Sequence, residues 1–161
     1  MALERIKRTR KGDFHVRLTG PERDALRSGA ELVRSVLDEG DPREDAALKR
    51  LFPPAYMDDA EQAAEFDALV HEELLDGRRK ALEELERTID AVRLNEEELT
   101  AWLSAINDAR LVIGVRLGVT EESVPADFDD EPERTQAYSL YAYLSWLEED
   151  LVDALAASAG R

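Results

Sequence analysis

Apolar and polar positions along the chain follow two periods. Phe14, Val16 and Leu18 alternate with His15 and Arg17, the two-residue period of a half-buried strand. Lys11-Gly12-Asp13 supplies turn chemistry just ahead, so residues 3–18 predict a β-hairpin with Leu3 to Arg8 as the partner strand. A lone hairpin is marginal in water, so its apolar face is expected to pack on helices; a mobile arm is the alternative.

From Thr19 onward the period is helical. Thr19 and Glu22 form a capping box, and Pro21 falls in the first turn of a helix running to about Glu39. Leu26, Ala30, Val33 and Leu37 share its apolar face, and Gly40 stops it. Asp41-Pro42 is expected to open a short helix that ends before Pro53-Pro54, with Phe52 and Tyr56 anchoring the elbow. Asp59 to Arg93 reads as helix throughout. Phe66, Leu69, Val70, Leu74, Ala81, Leu82, Leu85, Ile89 and Val92 form its apolar face, and Gly77 marks a bend or break.

Asn95 and Glu98 make a second capping box. The helix they open carries Leu99, Trp102, Leu103, Ile106, Ile113 and Leu117 and closes at Gly118. An acidic loop with Pro125 and Pro132 leads to a final helix, where Leu140, Leu144, Leu147 and Leu151 form a bundle seam. These elements predict a mainly α fold: a single-domain helical bundle of about five helices (residues 19–157) with a small N-terminal β-hairpin (residues 1–18). A length of 161 residues suits one domain.

The charge distribution sharpens this outline. With 43% hydrophobic and 36% charged residues, the chain can build a core, and 21 Lys and Arg against 37 Asp and Glu leave a net charge of −16. Residues 1–11 hold Arg5, Lys7, Arg8, Arg10 and Lys11 against Glu4, a net of +4, so the remaining residues carry −20. Broad binding to a phosphate backbone is disfavoured, and the hairpin cations are the candidate nucleic-acid contact, expected to be weak. There is no cysteine, which excludes a disulfide, a thiolate nucleophile or a thiol switch within this chain. No signal-type segment and no membrane-length apolar run is present, so the protein is expected to be cytoplasmic and to make no membrane contact.

Catalytic and metal-binding motifs are weak. His71-Glu72-Glu73 lacks a second histidine one turn on, because residue 75 is Leu75. Asp67 and His71 could share a metal at i,i+4, but two ligands do not define a site. Nucleophile elbows and phosphate-cradling glycine loops are absent. We therefore expect no enzyme, no metal and no cofactor.

Three groups of residues remain as candidates. Arg110 falls on the stripe Leu99, Leu103, Ile106, Ile113, Leu117, where a guanidinium needs a carboxylate partner; Glu148, Glu149 and Asp150 on the last helix are candidates. Arg110 then either sets helix register through an ion pair or faces a ligand groove, with Asn107, Asp108 and Arg116 as accompanying polar positions. Tyr138, Tyr141, Tyr143 and Trp146 crowd the last helix. Positions 141 and 143 lie about 200° apart, so some of this aromatic surface should be exposed as a partner interface. The third group is the set of hairpin cations.

Four stretches carry a family resemblance: Leu51-Phe52-Pro53-Pro54-Ala55-Tyr56, Trp102-Leu103 with Asn107-Asp108-Ala109-Arg110-Leu111, Gly114-Val115-Arg116-Leu117-Gly118-Val119, and Tyr143-Leu144-Ser145-Trp146-Leu147. With the basic hairpin, they make the chain resemble the AosR-like family of actinobacterial oxidative-stress regulators, formerly a domain of unknown function. The 17 Arg against 4 Lys fit a GC-rich origin. The resemblance implies transcriptional regulation, here without the thiols a redox sensor ordinarily uses; Met1 and Met57 are poor substitutes. The leading expectation is a non-enzymatic regulator that binds a protein of the transcription machinery. A DNA-contacting homodimer using the hairpin and a small-molecule-binding bundle around Arg110 stay open beside it.

Overall fold

The computed structural model describes residues 5–40, 45–51 and 60–159; of residues 60–70 and 158–159 it describes the backbone alone. The hairpin is formed by β1 (Ile6–Arg8) and β2 (Phe14–Val16), antiparallel, with Ile6 opposite Val16 and Arg8 opposite Phe14. Gly12 takes a positive φ of 92° in the connecting turn, which glycine adopts without strain. Ile6, Phe14 and Val16 are buried in the main core, so the hairpin is a structural wall of the bundle and not a mobile arm.

Helix α1 (Gly20–Glu39) opens on the Thr19–Glu22 capping box and ends at Gly40, whose N–H donates to the Val36 carbonyl. Helix α2 spans Ala46–Leu51. The Asp45 carboxylate accepts from the Ala47 N–H at 2.9 Å and so sets its first turn. Asp41-Pro42, Phe52 and Tyr56 lie outside the described residues.

Helix α3 (Ala60–Thr88) corrects the sequence in three ways. It runs through Gly77 without a break, and Leu74 is exposed. It also stops at Thr88 instead of reaching Arg93. Ile89 turns into the core, while Val92 is 60% exposed. Phe66, Leu69 and Val70, also expected on its apolar face, have no described side chains. Next comes β3 (Arg93–Leu94), a third strand antiparallel to β2, giving the sheet order β1-β2-β3. Arg23 of α1 fixes this passage: its guanidinium donates to the carbonyls of Ile89 (2.6 Å) and Ala91 (3.1 Å).

Helix α4 (Glu96–Leu117) opens on the Asn95–Glu98 capping box and ends at Gly118, left-handed at φ 73°. It is the central helix, packed on α1, α2, α3 and α5 (Pro132–Ala159). A short 3-10 turn at Pro125–Phe128 precedes α5 and buries Phe128. Trp102 is fully buried, and its indole N–H donates to Thr88 Oγ1 at 2.7 Å, which satisfies the one polar atom it brings inside. The fold is thus mainly α, with five α-helices among the described residues, and there the small sheet has three strands rather than two.

Candidate functional site

The buried face of α4 is not centred on the predicted stripe. At about 100° per residue, Trp102, Ala105, Ala109 and Val112 centre it about a quarter turn away. Arg110 therefore sits at the rim, 26% exposed, with its Nε 2.7 Å from Glu148 Oε2 (20% exposed) on α5. Its Nη2 donates to Asn107 Oδ1 at 3.0 Å. The carboxylate expected from the last helix is thus present, and of the three candidates it is Glu148. Arg116 is exposed in the last turn of α4, where a cation suits the helix dipole, and is not a buried polar residue.

Among the described residues the deeply buried acid is Asp108, only 1% exposed. It accepts from Arg78 of α3, whose other Nη atom donates to the Leu51 carbonyl at 2.8 Å. Burial pushes the Asp108 carboxyl above its usual range, against the pull of the Arg78 charge and hydrogen bond. Sequence reasoning singled out Asp108 but missed Arg78, because α3 gives no local signal of which polar residue faces α4.

Beside Arg110 lies a cleft of about 440 Å³ lined in part by Arg50, Leu111, Gly114, Val119 and Tyr141. A groove of about 610 Å³ between α1 and α5 is lined in part by Asp24, Ser28, Glu133 and Tyr143. Among the described residues, no group of three or more histidine or acidic side chains is arranged to hold a metal ion. Asp67, half of the i,i+4 pair with His71, has no described side chain.

The four α5 aromatics are half-buried and face two ways. Tyr138 stacks on Phe128 with ring centroids 4.7 Å apart, and Tyr141 lies tilted against Tyr138. On the other side, Tyr143 donates its hydroxyl to Glu22 Oε2 at 2.9 Å, and Trp146 lies under the Arg5 guanidinium at 5.7 Å. Arg5 also pairs with Glu22 at 3.1 Å. Burial acts to raise the Glu22 carboxyl, but hydrogen bonds from Tyr143 and Thr19 and the Arg5 charge outweigh it and hold it below its usual range. Arg5, Glu22, Tyr143 and Trp146 thus tie the hairpin to α1 and α5.

The remaining hairpin cations divide by strand alternation. Arg8 is half-buried, whereas Lys7, Arg10 and Lys11 are exposed. Strand pairing places Lys7 beside His15 and His15 beside Arg93, one row across the outer face of all three strands. Arg17, exposed, follows on the same side of β2. Arg93 joins the patch only through β3, which the sequence reads as helix. Among the described residues, no helix is long and apolar enough to cross a membrane.

The family model described as Domain of unknown function (DUF2017) matches residues 3–155. The chain belongs to the DUF2017 family. It is 34% identical, over 139 aligned positions, to a protein of Mycobacterium leprae named putative oxidative stress regulator AosR; the match covers 71% of this chain and 60% of that one. Proteins named oxidative stress regulator AosR in Mycobacterium tuberculosis and Mycobacterium bovis are each 30% identical over 125 positions, covering 67% of this chain and 57% of theirs. The chain thus spans about three fifths of the length of these relatives. No solved structure matches it.

The stretches that carried the DUF2017 resemblance are largely packing devices in this structure. Leu51, Trp102, Leu144 and Leu147 are fully buried. A Cβ on Gly114 would lie 3.2 Å from the Tyr141 ring, so this glycine sets how closely α4 and α5 approach. Phe52 to Tyr56 lie outside the described residues.

Proposed function

We propose that this DUF2017 chain is a non-enzymatic regulator of the oxidative-stress response that acts by binding a protein of the transcription machinery. The observation that carries the reading is the match to relatives named oxidative stress regulators, which covers about 70% of this chain. The charge pattern fits it: an acidic body and a separate cationic sheet face suit directed encounter with a charged partner. Lacking cysteine, the chain would receive its redox signal from a partner instead of generating one.

A second reading, DNA contact by a homodimer through the hairpin, draws on Lys7, Arg10, Lys11 and the added Arg93. The strongly acidic remainder of the chain opposes it. Affinity purification of the tagged full chain from its native host, with and without peroxide, tests the two. Recovery of a transcription-apparatus subunit that rebinds the purified chain directly is expected. Recovery of DNA fragments alone would favour the second reading. Deleting the hairpin is the wrong control, since Ile6, Phe14 and Val16 belong to the core; charge-neutralising substitutions are the right one.

A further inference from the structure

Resting on the reading of the chain as a binding regulator, we propose that the outer face of the three-stranded sheet is its docking surface and receives an acidic segment of a partner protein. Lys7, His15 and Arg93 stand in register on three adjacent strands, which lie about 4.8 Å apart, with Arg17 beside them and Arg10 and Lys11 in the turn. Among residues 5–18 the sole acid is Asp13. No ion pair holds Lys7, Arg10, Lys11, Arg17 or Arg93 among the described residues, whereas the arginines of the helices are largely paired, Arg34 with Glu86 and Arg87 with Glu98 for example. Cations on neighbouring strands repel one another, and an anionic occupant relieves that repulsion.

The patch is also pre-organised. The inner faces of the same strands place Ile6, Phe14, Val16 and Leu94 in the core, and Arg23 clamps the turn that leads into β3. A partner therefore has no backbone of the patch left to order, only its side chains, which favours binding.

Charge geometry selects the occupant. A DNA duplex carries a phosphate charge about every 1.7 Å and runs on past a sheet of this size, toward a body that carries the chain's large acidic excess. A short acidic peptide segment ends with the patch. Val92, exposed next to Arg93, offers an apolar contact that a peptide side chain can use and a phosphate backbone cannot. Arginine is also among the residues enriched at protein interfaces.

Fluorescence anisotropy with the full chain tests this. The probes are a labelled glutamate-rich peptide with interspersed leucines, the same peptide with lysine for glutamate, and a labelled random-sequence duplex. The glutamate peptide should bind and weaken with salt, and the lysine peptide should not bind at this face. The triple variant Lys7→Ala, Arg17→Ala, Arg93→Ala should bind it roughly tenfold more weakly or worse. It should melt like the parent, because all three side chains are exposed. Neutralising exposed Lys49 and Arg116 instead should leave binding unchanged. The proposal is overturned if the glutamate peptide does not bind, if the triple variant binds it like the parent, or if the duplex binds more tightly. Self-association of the parent that the triple variant abolishes would also overturn it, by making a second copy the occupant. In the host, a triple-variant strain with a normal peroxide response, where deletion alters that response, defeats the surface and spares the regulator reading. Deletion without effect defeats the regulator reading itself.

Discussion

Asp108 and Glu22 are both acids held by arginine, and their surroundings push them in opposite directions. Asp108 is enclosed by α3 and α4, and burial raises its carboxyl despite Arg78. Removing Arg78 leaves that carboxylate buried without its cation, so Arg78→Met should destabilise by about 3–5 kcal/mol in chemical denaturation. Asp108→Asn removes the buried charge and should cost distinctly less. A larger loss for Asp108→Asn would contradict the raised carboxyl. The sign with pH follows: the stability contributed by protonated Asp108 is present at low pH and is lost as pH rises through its raised folded value. Glu22 runs the other way. Its folded value lies below the ordinary 4.5, so its contribution is present above that value and fades as pH falls through the folded one. Glu22→Gln should therefore melt below the parent at neutral pH, and the gap should close in acid. Arg110, at the rim with Glu148, supports a milder expectation: Arg110→Ala should cost about 1 kcal/mol, between an exposed and an enclosed ion pair.

At the scale of the element, what the sequence made legible was what local chemistry encodes. The capping boxes at Thr19–Glu22 and Asn95–Glu98 fixed the starts of α1 and α4, and Gly118 fixed an end, because each acts within a few residues. The end of α3 was not legible. Ile89 and Val92 keep helical phase on paper, and a two-residue strand has no period of its own. Its cause is tertiary: Arg23 captures the Ile89 and Ala91 carbonyls, and the Val16 N–H donates to the Val92 carbonyl at 2.8 Å. Of the polar candidates on α4, Asp108 is buried and Arg110 meets an α5 carboxylate, as expected, whereas Arg116 is exposed. The stripe through Arg110 was real, yet four surrounding elements shift the buried arc away from it. The contact of α4 with α5 carries its own test. Gly114→Val must displace the Tyr141 ring, so it should lower stability by about 1–3 kcal/mol. A variant as stable as the parent would contradict that close approach.

Across the whole molecule, the charge imbalance noticed at the N-terminus becomes a surface only after folding. The sequence located Lys7, Arg10 and Lys11; the sheet adds Arg17 and Arg93, and Arg5 is diverted to Glu22 and Trp146. The aromatic cluster of α5, expected to present a partner surface, is half-buried, resting on Phe128 on one side and on Glu22 and Arg5 on the other. The absence of cysteine also has a whole-molecule consequence. Mild peroxide should leave the circular dichroism spectrum and melting curve unchanged, and a fast change reversed by dithiothreitol could not arise in this chain alone. The most direct test of the central claim, a regulator that works by binding, is transcript profiling of the native host after peroxide. The strains to compare are wild type, a deletion, and the Lys7→Ala, Arg17→Ala, Arg93→Ala variant expressed at wild-type level. The account predicts that the deletion alters the peroxide response and that the variant reproduces the deletion. A deletion strain whose peroxide-responsive transcripts match wild type would contradict it.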